Sequence, residues 1–185
     1  MITIVSGLPR SGTSLMMQML AAGGMTVLSD GERTADVDNP RGYLEWERIK
    51  QLPKDPACIA EAEGKVVKVI SRLLLSLPEG HEYRVIFMQR PLPEVLASQE
   101  VMMRNRGTAG VPNATMSALF EKELRAVHAW LDSKAYVKTL RVPYHEVLSD
   151  SEIVAKKLAQ FLELELNVAA MTGQVDGTLY RNRSK

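Results

Sequence analysis

The chain has 185 residues, 45% of which are hydrophobic, and its 23 basic and 22 acidic residues give a net charge of +1. Domains whose main partner is a nucleic acid usually carry a clear basic excess, so this balance argues against nucleic acid as a partner. The length predicts a single domain, residues 1–185, that is large enough to bury a hydrophobic core.

Cysteine usage and hydropathy indicate the compartment. Cys58 is the only cysteine, which excludes an intrachain disulfide and a cysteine-based zinc site and fits a reducing environment. No run approaches the roughly 18 apolar residues of a membrane span, and the sequence opens on strand-like residues rather than on a leader. Three scattered histidines do not form a metal site. We therefore expect a cytoplasmic protein with no membrane partner and no metal.

Hydrophobic periodicity predicts strands that alternate with helices. In chain order the pattern predicts a strand at 2–6, a helix at 13–23, a short strand at 25–28, a loop over the ligand site at 29–43, helices at 44–52 and 56–63, strands at 65–71 and 83–88, helices at 92–104 and 113–132, a strand at 136–142, a helix from 150 or 151 to about 162, and a turn at 167–171. Such alternation predicts a mainly parallel sheet with helices on both faces, and ligands bind beyond the carboxyl ends of its strands. The turns at 7–14 and 89–98 both follow strands, so two loops are predicted to converge on one crevice.

The turn after the first strand has the frame of a phosphate-binding P-loop. It reads Gly7-Leu8-Pro9-Arg10-Ser11-Gly12-Thr13-Ser14, and we call these residues the glycine loop. Nucleotide hydrolases and kinases use G-x-x-x-x-G-K-[ST], with a lysine that reaches the terminal phosphates. Here Thr13 stands at the lysine position, and Arg10 is the only cation of the loop. The glycines let backbone N–H groups approach an anion beside the positive end of the next helix. The loop thus predicts a P-loop three-layer sandwich that handles an anion other than a γ-phosphoryl group.

A second anion-binding element follows the predicted strand at 83–88. Arg90 stands at the end of that strand, and Ser98 lies eight residues on in the next helix. The two side chains would share an anion if the turn between them folds back. The simpler alternatives are a surface ion pair between Arg90 and Glu94 and an ordinary helix hydroxyl at Ser98.

These two elements resemble the sulfotransferase family, whose donor is 3′-phosphoadenosine 5′-phosphosulfate (PAPS). The family's 5′-phosphosulfate loop has the form P-[KR]-S-G-T-[ST], which here is Pro9-Arg10-Ser11-Gly12-Thr13-Ser14. Its 3′-phosphate element is an arginine followed by a serine eight residues later, here Arg90 and Ser98. The arginine form of the loop is most similar to tyrosylprotein and bacterial sulfotransferases.

The resemblance implies a reaction and a set of roles. A sulfuryl group would pass from PAPS, the co-substrate, to an acceptor hydroxyl or amine without a metal. Arg10 and the backbone N–H groups of residues 12–14 would stabilise the charge that builds on the bridging oxygen. Arg90 and Ser98 would hold the 3′-phosphate, in a second basic pocket at the other end of the nucleotide.

Weaker likenesses to bacterial members extend over most of the chain, at residues 39–45, 142–148 and 177–183. In the last of these, Arg181 and Arg183 would close over the 3′-phosphate, although a basic tail is often only a solvated run of charge. The sequence departs from cytosolic members at residues 68–78, where their catalytic histidine has no counterpart.

The general base must therefore be sought among carboxylates and histidines. The acidic residues of the region after the first helix are the favoured candidates, because the tyrosylprotein enzymes use a glutamate from there. We rank Glu32 and Glu45 first as the catalytic base, ahead of the other candidates, which are Asp30, Asp36, Asp38, His81, His128 and His145. Lys68 either points to the donor or lies in solvent at a sheet edge.

Two other functional classes stay open at this point. One is a P-loop small-molecule kinase, which the absent loop lysine and the absent aspartate at the end of strand 83–88 disfavour. The other is a non-catalytic module that binds PAPS or its product. The acceptor, a small molecule or a peptide, is not specified by the sequence, and neither is the oligomeric state.

Overall fold

A parallel sheet forms the centre of the molecule. The computed structural model describes residues 1–32, 35–36, 39, 42–105, 107–108 and 113–176. Within these residues the strands are β1 (Ile2–Gly7), β2 (Val66–Lys68), β3 (Tyr83–Gln89) and β4 (Val137–Pro143). They pair in the order β2-β1-β3-β4, and every pairing is parallel. The predicted α/β architecture with a parallel sheet is thus confirmed.

Helices surround the sheet. The α-helices of the described residues are α1 (Thr13–Ala22), α2 (Leu92–Asn105), α3 (Asn113–Ser133), α4 (Tyr144–Ser149), α5 (Ser151–Leu162) and α6 (Val168–Thr172). Short 3₁₀ helices cover Glu47–Gln51, Pro56–Ala62 and Ser71–Ser76. None of the helices that the structure describes is long and apolar enough to cross a membrane.

Alternation along β1 divides the buried side chains between two cores. Ile2 and Ile4 point into a core that contains residues of the 3₁₀ helices and of α3. Val5 points to the opposite face, into a core built with α1, α4, α5 and α6. Because successive side chains of a strand face opposite sides, this division places helices on both faces of the sheet, as the sequence predicts.

The strand order sets the position of the crevice. β1 pairs with β2 on one side, where Val5 lies opposite Lys68, and with β3 on the other, where Gly7 lies opposite Met88. The chain moves from β1 to the β2 edge and then crosses to β3 and β4. The connection that follows β1 leads to the β2 edge, and the connection that follows β3 leads to the β4 edge. Ligands bind in open parallel sheets at the carboxyl ends of two strands whose connections diverge in this way.

Some predicted elements differ from the structure. The predicted strand at 25–28 is a single bridge between Val27 and Val66, because the chain then leaves the sheet at Asp30, whose N–H donates to the Glu45 carbonyl. The predicted helix at 44–52 shrinks to the 3₁₀ helix Glu47–Gln51, because Leu44 has a φ of 49°, which a right-handed helix does not allow. Helix α4 directly follows β4 and is not predicted at all.

Candidate active site

A cavity of about 460 Å³ opens at the carboxyl ends of the strands. The glycine loop, which follows β1, contributes to its wall. Glu45 and Lys68 line it on the β2 side, and Arg90 lines it at the end of β3. Its volume is in the range of small-molecule sites. Arg10 and Arg90 therefore belong to one continuous cavity.

Two glycines give the loop its shape. Gly7 has a φ of 148° and Gly12 a φ of 100°, both in the region that favours glycine. A Cβ atom at Gly12 would lie 2.4 Å from Cδ2 of Tyr144, and one at Gly7 would lie 2.5 Å from Oγ of Ser11. Gly12 caps α1 without a side-chain hydrogen bond. The first N–H groups of the helix thus remain available to an anion.

Ser11 holds the loop rather than lining the cavity. Its side chain is buried, and its hydroxyl donates to the Leu8 carbonyl at 2.7 Å. The Ser11 backbone N–H donates to the same carbonyl at 3.2 Å. By contrast, Pro9, Thr13 and Ser14 all line the cavity. The hydroxyls that face a ligand are therefore those of the helix start.

Arg10 links the glycine loop to α2. Its Nε donates to Oγ of Ser98 at 3.0 Å, and its backbone carbonyl accepts from Nη1 of Arg90, also at 3.0 Å. Arg10 itself has a φ of 70°, a strained conformation for a residue with a side chain. Ser98 thus meets Arg10 directly, and no fold-back of the turn toward Arg90 is needed.

Arg90 is fixed from two directions. Its Nε lies 3.0 Å from Oε2 of Glu94, and both side chains are buried. The ion pair that the sequence offered as the simpler alternative thus exists, but in the interior rather than on the surface. Its guanidinium lies 4.8 Å from the ring centre of Tyr144. A planar guanidinium that is both paired and stacked loses little freedom when it binds a phosphate or sulfate. Arg90 is thus a preorganised cationic group beside the loop.

Tyr144 joins these groups into one wall. It is buried, it packs against Gly12, and it carries the Arg90 guanidinium on its ring. Burial raises the pKa of Tyr144, and the charges of Arg90 and Arg10 partly oppose that rise. The phenol is therefore neutral at physiological pH. The sequence assigns Tyr144 no role, although its position immediately after β4 places it at the ligand-binding edge of the sheet.

Lys68 connects the glycine loop to Glu45. Its Nζ donates to Oε1 of Glu45 at 2.8 Å and to Oγ of Ser14 at 3.2 Å. The two charged side chains are only 9% and 16% exposed. Lys68 also lies 5.7 Å from the ring centre of Tyr43. It therefore faces the cavity, and the alternative of a solvated lysine at a sheet edge is wrong.

The other candidate bases are placed differently. Glu32 is exposed and does not line the cavity, and its N–H donates to Asp30. Asp30 accepts N–H bonds from Glu47 and Glu32, and these bonds lower its pKa. Asp36 accepts the Tyr43 hydroxyl at 2.7 Å. None of His81, His128 and His145 lines the cavity.

Some predicted residues have no structural description. Asp38, Arg181 and Arg183 lie outside the described residues. Among the residues that are described, no group of three or more His, Cys, Asp or Glu side chains is close enough to hold a metal ion.

Comparison with solved structures identifies the fold. The sulfotransferase domain from the curacin biosynthetic pathway is similar with a TM-score of 0.58 and 14% identity, covering 95% of this chain and 78% of that one. The sulfotransferase domain of a Synechococcus olefin synthase gives a TM-score of 0.54 and 17% identity, covering 100% and 80%. A sulfotransferase from Mycobacterium tuberculosis gives 0.60 and 14%, covering 99% and 73%. No protein-family model and no curated protein sequence matches the chain.

The chain therefore has the α/β fold of sulfotransferase domains over nearly its whole length.

Proposed function

We propose that this protein is a sulfotransferase that moves a sulfuryl group from PAPS to an acceptor hydroxyl or amine. The observation that carries the proposal is the joining of Arg10, Arg90 and the start of α1 along one cavity of a sulfotransferase fold. Each of these groups favours a doubly charged anion, and together they suit the two charged ends of one nucleotide.

The chemistry of the wall fits PAPS. On the β1 and β3 side it offers backbone N–H groups, the hydroxyls of Thr13 and Ser14, and two guanidinium groups. Gly12 makes room for the Tyr144 ring, which in turn carries the Arg90 guanidinium at the wall. PAPS supplies the transferable sulfuryl group, and the protein supplies the anion-binding donors.

We assign Arg10 and the N-terminus of α1 to stabilise the negative charge that develops during sulfuryl transfer. As the nucleotide leaves, negative charge builds on its bridging oxygen, and donors already aimed at that position need no rearrangement. Such a donor contributes on the order of 3 kcal/mol to lowering the barrier. The bonds that Arg10 makes to Ser98 and Arg90 hold it in place for this role.

Glu45 is assigned as the general base. Of the two glutamates ranked first, Glu45 lines the cavity and Glu32 does not. Lys68 holds the Glu45 carboxylate and also contacts Ser14 at the start of α1. The base thus stands beside the site where the sulfuryl group would sit, as proton transfer from an acceptor requires.

The 3′-phosphate is assigned to the Arg90 side. Arg90 is oriented by Glu94 and Tyr144, and Ser98, which accepts a hydrogen bond from Arg10, lines the same cavity. Arg181 and Arg183 are proposed to close over this phosphate.

A kinase is disfavoured by two positions. Thr13 occupies the place of the lysine that kinases and hydrolases use, and β3 ends in Gln89 followed by Arg90 rather than in an aspartate that could hold Mg²⁺. A non-catalytic module is disfavoured by the placement of Glu45 next to the loop, because nucleotide binding alone requires no base.

Calorimetric titration tests the donor class. Adenosine 3′,5′-bisphosphate should bind at least about 100-fold more tightly than ATP or ADP, a difference of about 2.7 kcal/mol. Transfer of label from radiolabelled PAPS to added acceptors should follow. Magnesium-dependent turnover of ATP would show a kinase instead. Tight bisphosphate binding without transfer to any acceptor would show a binding module.

A further inference from the structure

The cavity has an apolar wall, most of which lies on the β2 side. It comes from three segments: the stretch after Glu45, the stretch after Lys68 and the last turns of α2. Its side chains are those of Trp46, Ile49, Ile70, Leu73, Val101 and Met102. We call these six residues the apolar wall.

Charges on this side are neutralised in pairs. Glu47 and Lys50, which also line the cavity, form an ion pair with each other, and Glu45 is paired with Lys68. The cations on this side thus already have carboxylate partners. These two pairs therefore contribute no net charge that would attract an anionic acceptor, whereas Arg10 and the start of α1 add positive charge beside the pair of Arg90 and Glu94.

The strand order separates the two halves of the cavity. β2 lies on one side of β1 and β3 on the other. The proposed function, on which this inference rests, puts the nucleotide on the glycine loop and Arg90, that is, over β1 and β3. Four of the six residues of the apolar wall come from the segments after Glu45 and Lys68, on the β2 side, so this part of the wall is left for the acceptor. Lys68 and Glu45 stand at the boundary, because Lys68 also contacts Ser14 of the loop.

Two residues of the wall are apolar and yet open to solvent. Ile70 is 46% exposed and Val101 is 41% exposed. Apolar side chains at the mouth of a cavity gain free energy when an apolar ligand covers them. A sugar would instead leave its hydroxyls without partners against this wall. An alkyl amine is protonated at physiological pH and then has no lone pair with which to attack sulfur, whereas a hydroxyl does.

We propose that the acceptor is an uncharged alcohol or phenol with an apolar body. Its body packs on the apolar wall, and its hydroxyl reaches Glu45. In the reaction the acceptor O–H bond breaks and its proton passes to the Glu45 carboxylate. A new bond forms between the acceptor oxygen and sulfur, while the bond from sulfur to the bridging oxygen breaks and its electron pair leaves with adenosine 3′,5′-bisphosphate.

A series of acceptors tests the assignment. Ethanol, butanol, hexanol and octanol are compared with naphthol, glucose and a tyrosine peptide flanked by glutamates, all with radiolabelled PAPS. Each added methylene should raise kcat/KM about threefold to fourfold until the wall is covered. A flat response to chain length, or glucose or the peptide serving as well as octanol, would overturn the proposal.

A matched pair of variants links the effect to the wall. Ile70→Asp places a charge on an exposed wall residue that precedes a 3₁₀ helix, where aspartate is tolerated. We expect kcat/KM for octanol to fall at least tenfold, with Ile70→Leu retaining activity. Leu75→Asp is the control, because Leu75 belongs to the same 3₁₀ helix, is 41% exposed and does not line the cavity. Equal effects in the two aspartate variants would contradict the assignment.

Bisphosphate titration of the same proteins distinguishes a failure of the acceptor assignment from a failure of the proposed function. Ile70→Asp should bind adenosine 3′,5′-bisphosphate within about twofold of the unmodified protein. If the unmodified protein does not bind the bisphosphate, the proposed function itself fails. If it binds the bisphosphate and prefers polar acceptors, the acceptor assignment fails while the proposed function stands. If it binds the bisphosphate and uses no acceptor, it is a binding module and both proposals fail.

Discussion

Nε of Arg10 donates to Oγ of Ser98 at 3.0 Å, across 88 residues of the chain. Together with the bond from Arg90 to the Arg10 carbonyl, this contact fastens the glycine loop to the elements that follow β3. The sequence indicates two separate basic pockets, whereas the structure has a single wall in which Arg10 contacts both residues of the other element. Truncation of the Arg10 side chain removes the contact with Ser98 but keeps the backbone bond to Arg90.

The role of Arg10 can be tested by Arg10→Ala. We expect kcat to fall about 100-fold or more, while the affinity for adenosine 3′,5′-bisphosphate falls less than tenfold, because the guanidinium acts mainly on charge that develops during transfer. Rates with saturating PAPS and calorimetric titration measure the two quantities. Arg72→Ala, at an exposed position, is the control. Unchanged turnover in Arg10→Ala would refute its catalytic role.

The two glutamates can be distinguished by parallel substitutions. Glu45→Gln should lower kcat by about 100-fold or more, because an amide cannot accept the acceptor proton. Its bisphosphate affinity should stay within about threefold. Glu32→Gln should retain nearly full activity, because Glu32 is exposed and lies outside the cavity wall. A greater loss in Glu32→Gln than in Glu45→Gln would reverse the assignment.

The packing of Gly12 on Tyr144 can be measured against a glycine of the same conformation. Gly80 has a φ of 99°, close to the 100° of Gly12, but a Cβ there would meet nothing within 4 Å. Gly80→Ala should therefore cost only the backbone strain, about 1–2 kcal/mol of unfolding free energy. Gly12→Ala adds a clash with the Tyr144 ring and should cost more.

Urea unfolding of both variants measures the difference, and bisphosphate titration should show loss of binding in Gly12→Ala alone. Equal stabilities of Gly12→Ala and Gly80→Ala would contradict the tight contact with Tyr144. The double variant Gly12→Ala, Tyr144→Ala lacks the ring and should recover part of the unfolding free energy that the clash costs.

His128 predicts a pH dependence of stability. Burial lowers the pKa of His128, as does the charge of Arg141, while Asp132 opposes both. The Nδ1 atom finds no hydrogen-bond partner among the described residues, and the ring packs edge-on against Phe87. The unfolded chain, whose histidines titrate at about 6.5, therefore binds a proton more readily than the native protein does.

The contribution of neutral His128 to the unfolding free energy is fully present above its pKa in the unfolded chain, about 6.5. It is lost as the pH falls through the lower pKa of His128 in the native protein. In His128→Leu the unfolding free energy should decline less between about pH 7.5 and about pH 5 than in the unmodified protein. Urea unfolding across this range measures the slope. An unchanged slope in His128→Leu would contradict the prediction.

The sequence predicts the parts of the fold and site that depend on local pattern. Strand β1, the glycine loop and helix α1 follow one another along the chain, so hydrophobic periodicity and the positions of the loop glycines suffice to predict them. Arg90 is predictable as a site residue because it directly follows a buried strand, and such ends collect at one edge of a parallel sheet.

Contacts between distant segments were beyond prediction. Glu45 meets Lys68 because the chain turns at Leu44, with its positive φ, and because Gln18 donates to the Gly42 carbonyl at 3.2 Å. No periodicity signals these features. The same holds for Tyr144 on Gly12, since a pattern of residue types does not reveal which ring a glycine makes room for.

The position of β1 in the sheet has a consequence for the order of folding. Its ladders join Thr3 to Val66 and Ile2 to Tyr83, so neither can close before a long stretch of chain has collapsed. Folding is slow when native pairings are so far apart in sequence. The glycine loop is local in sequence, but Tyr144, which packs on Gly12, follows β4, so a nascent chain that ends before β4 lacks part of the wall of the anion site.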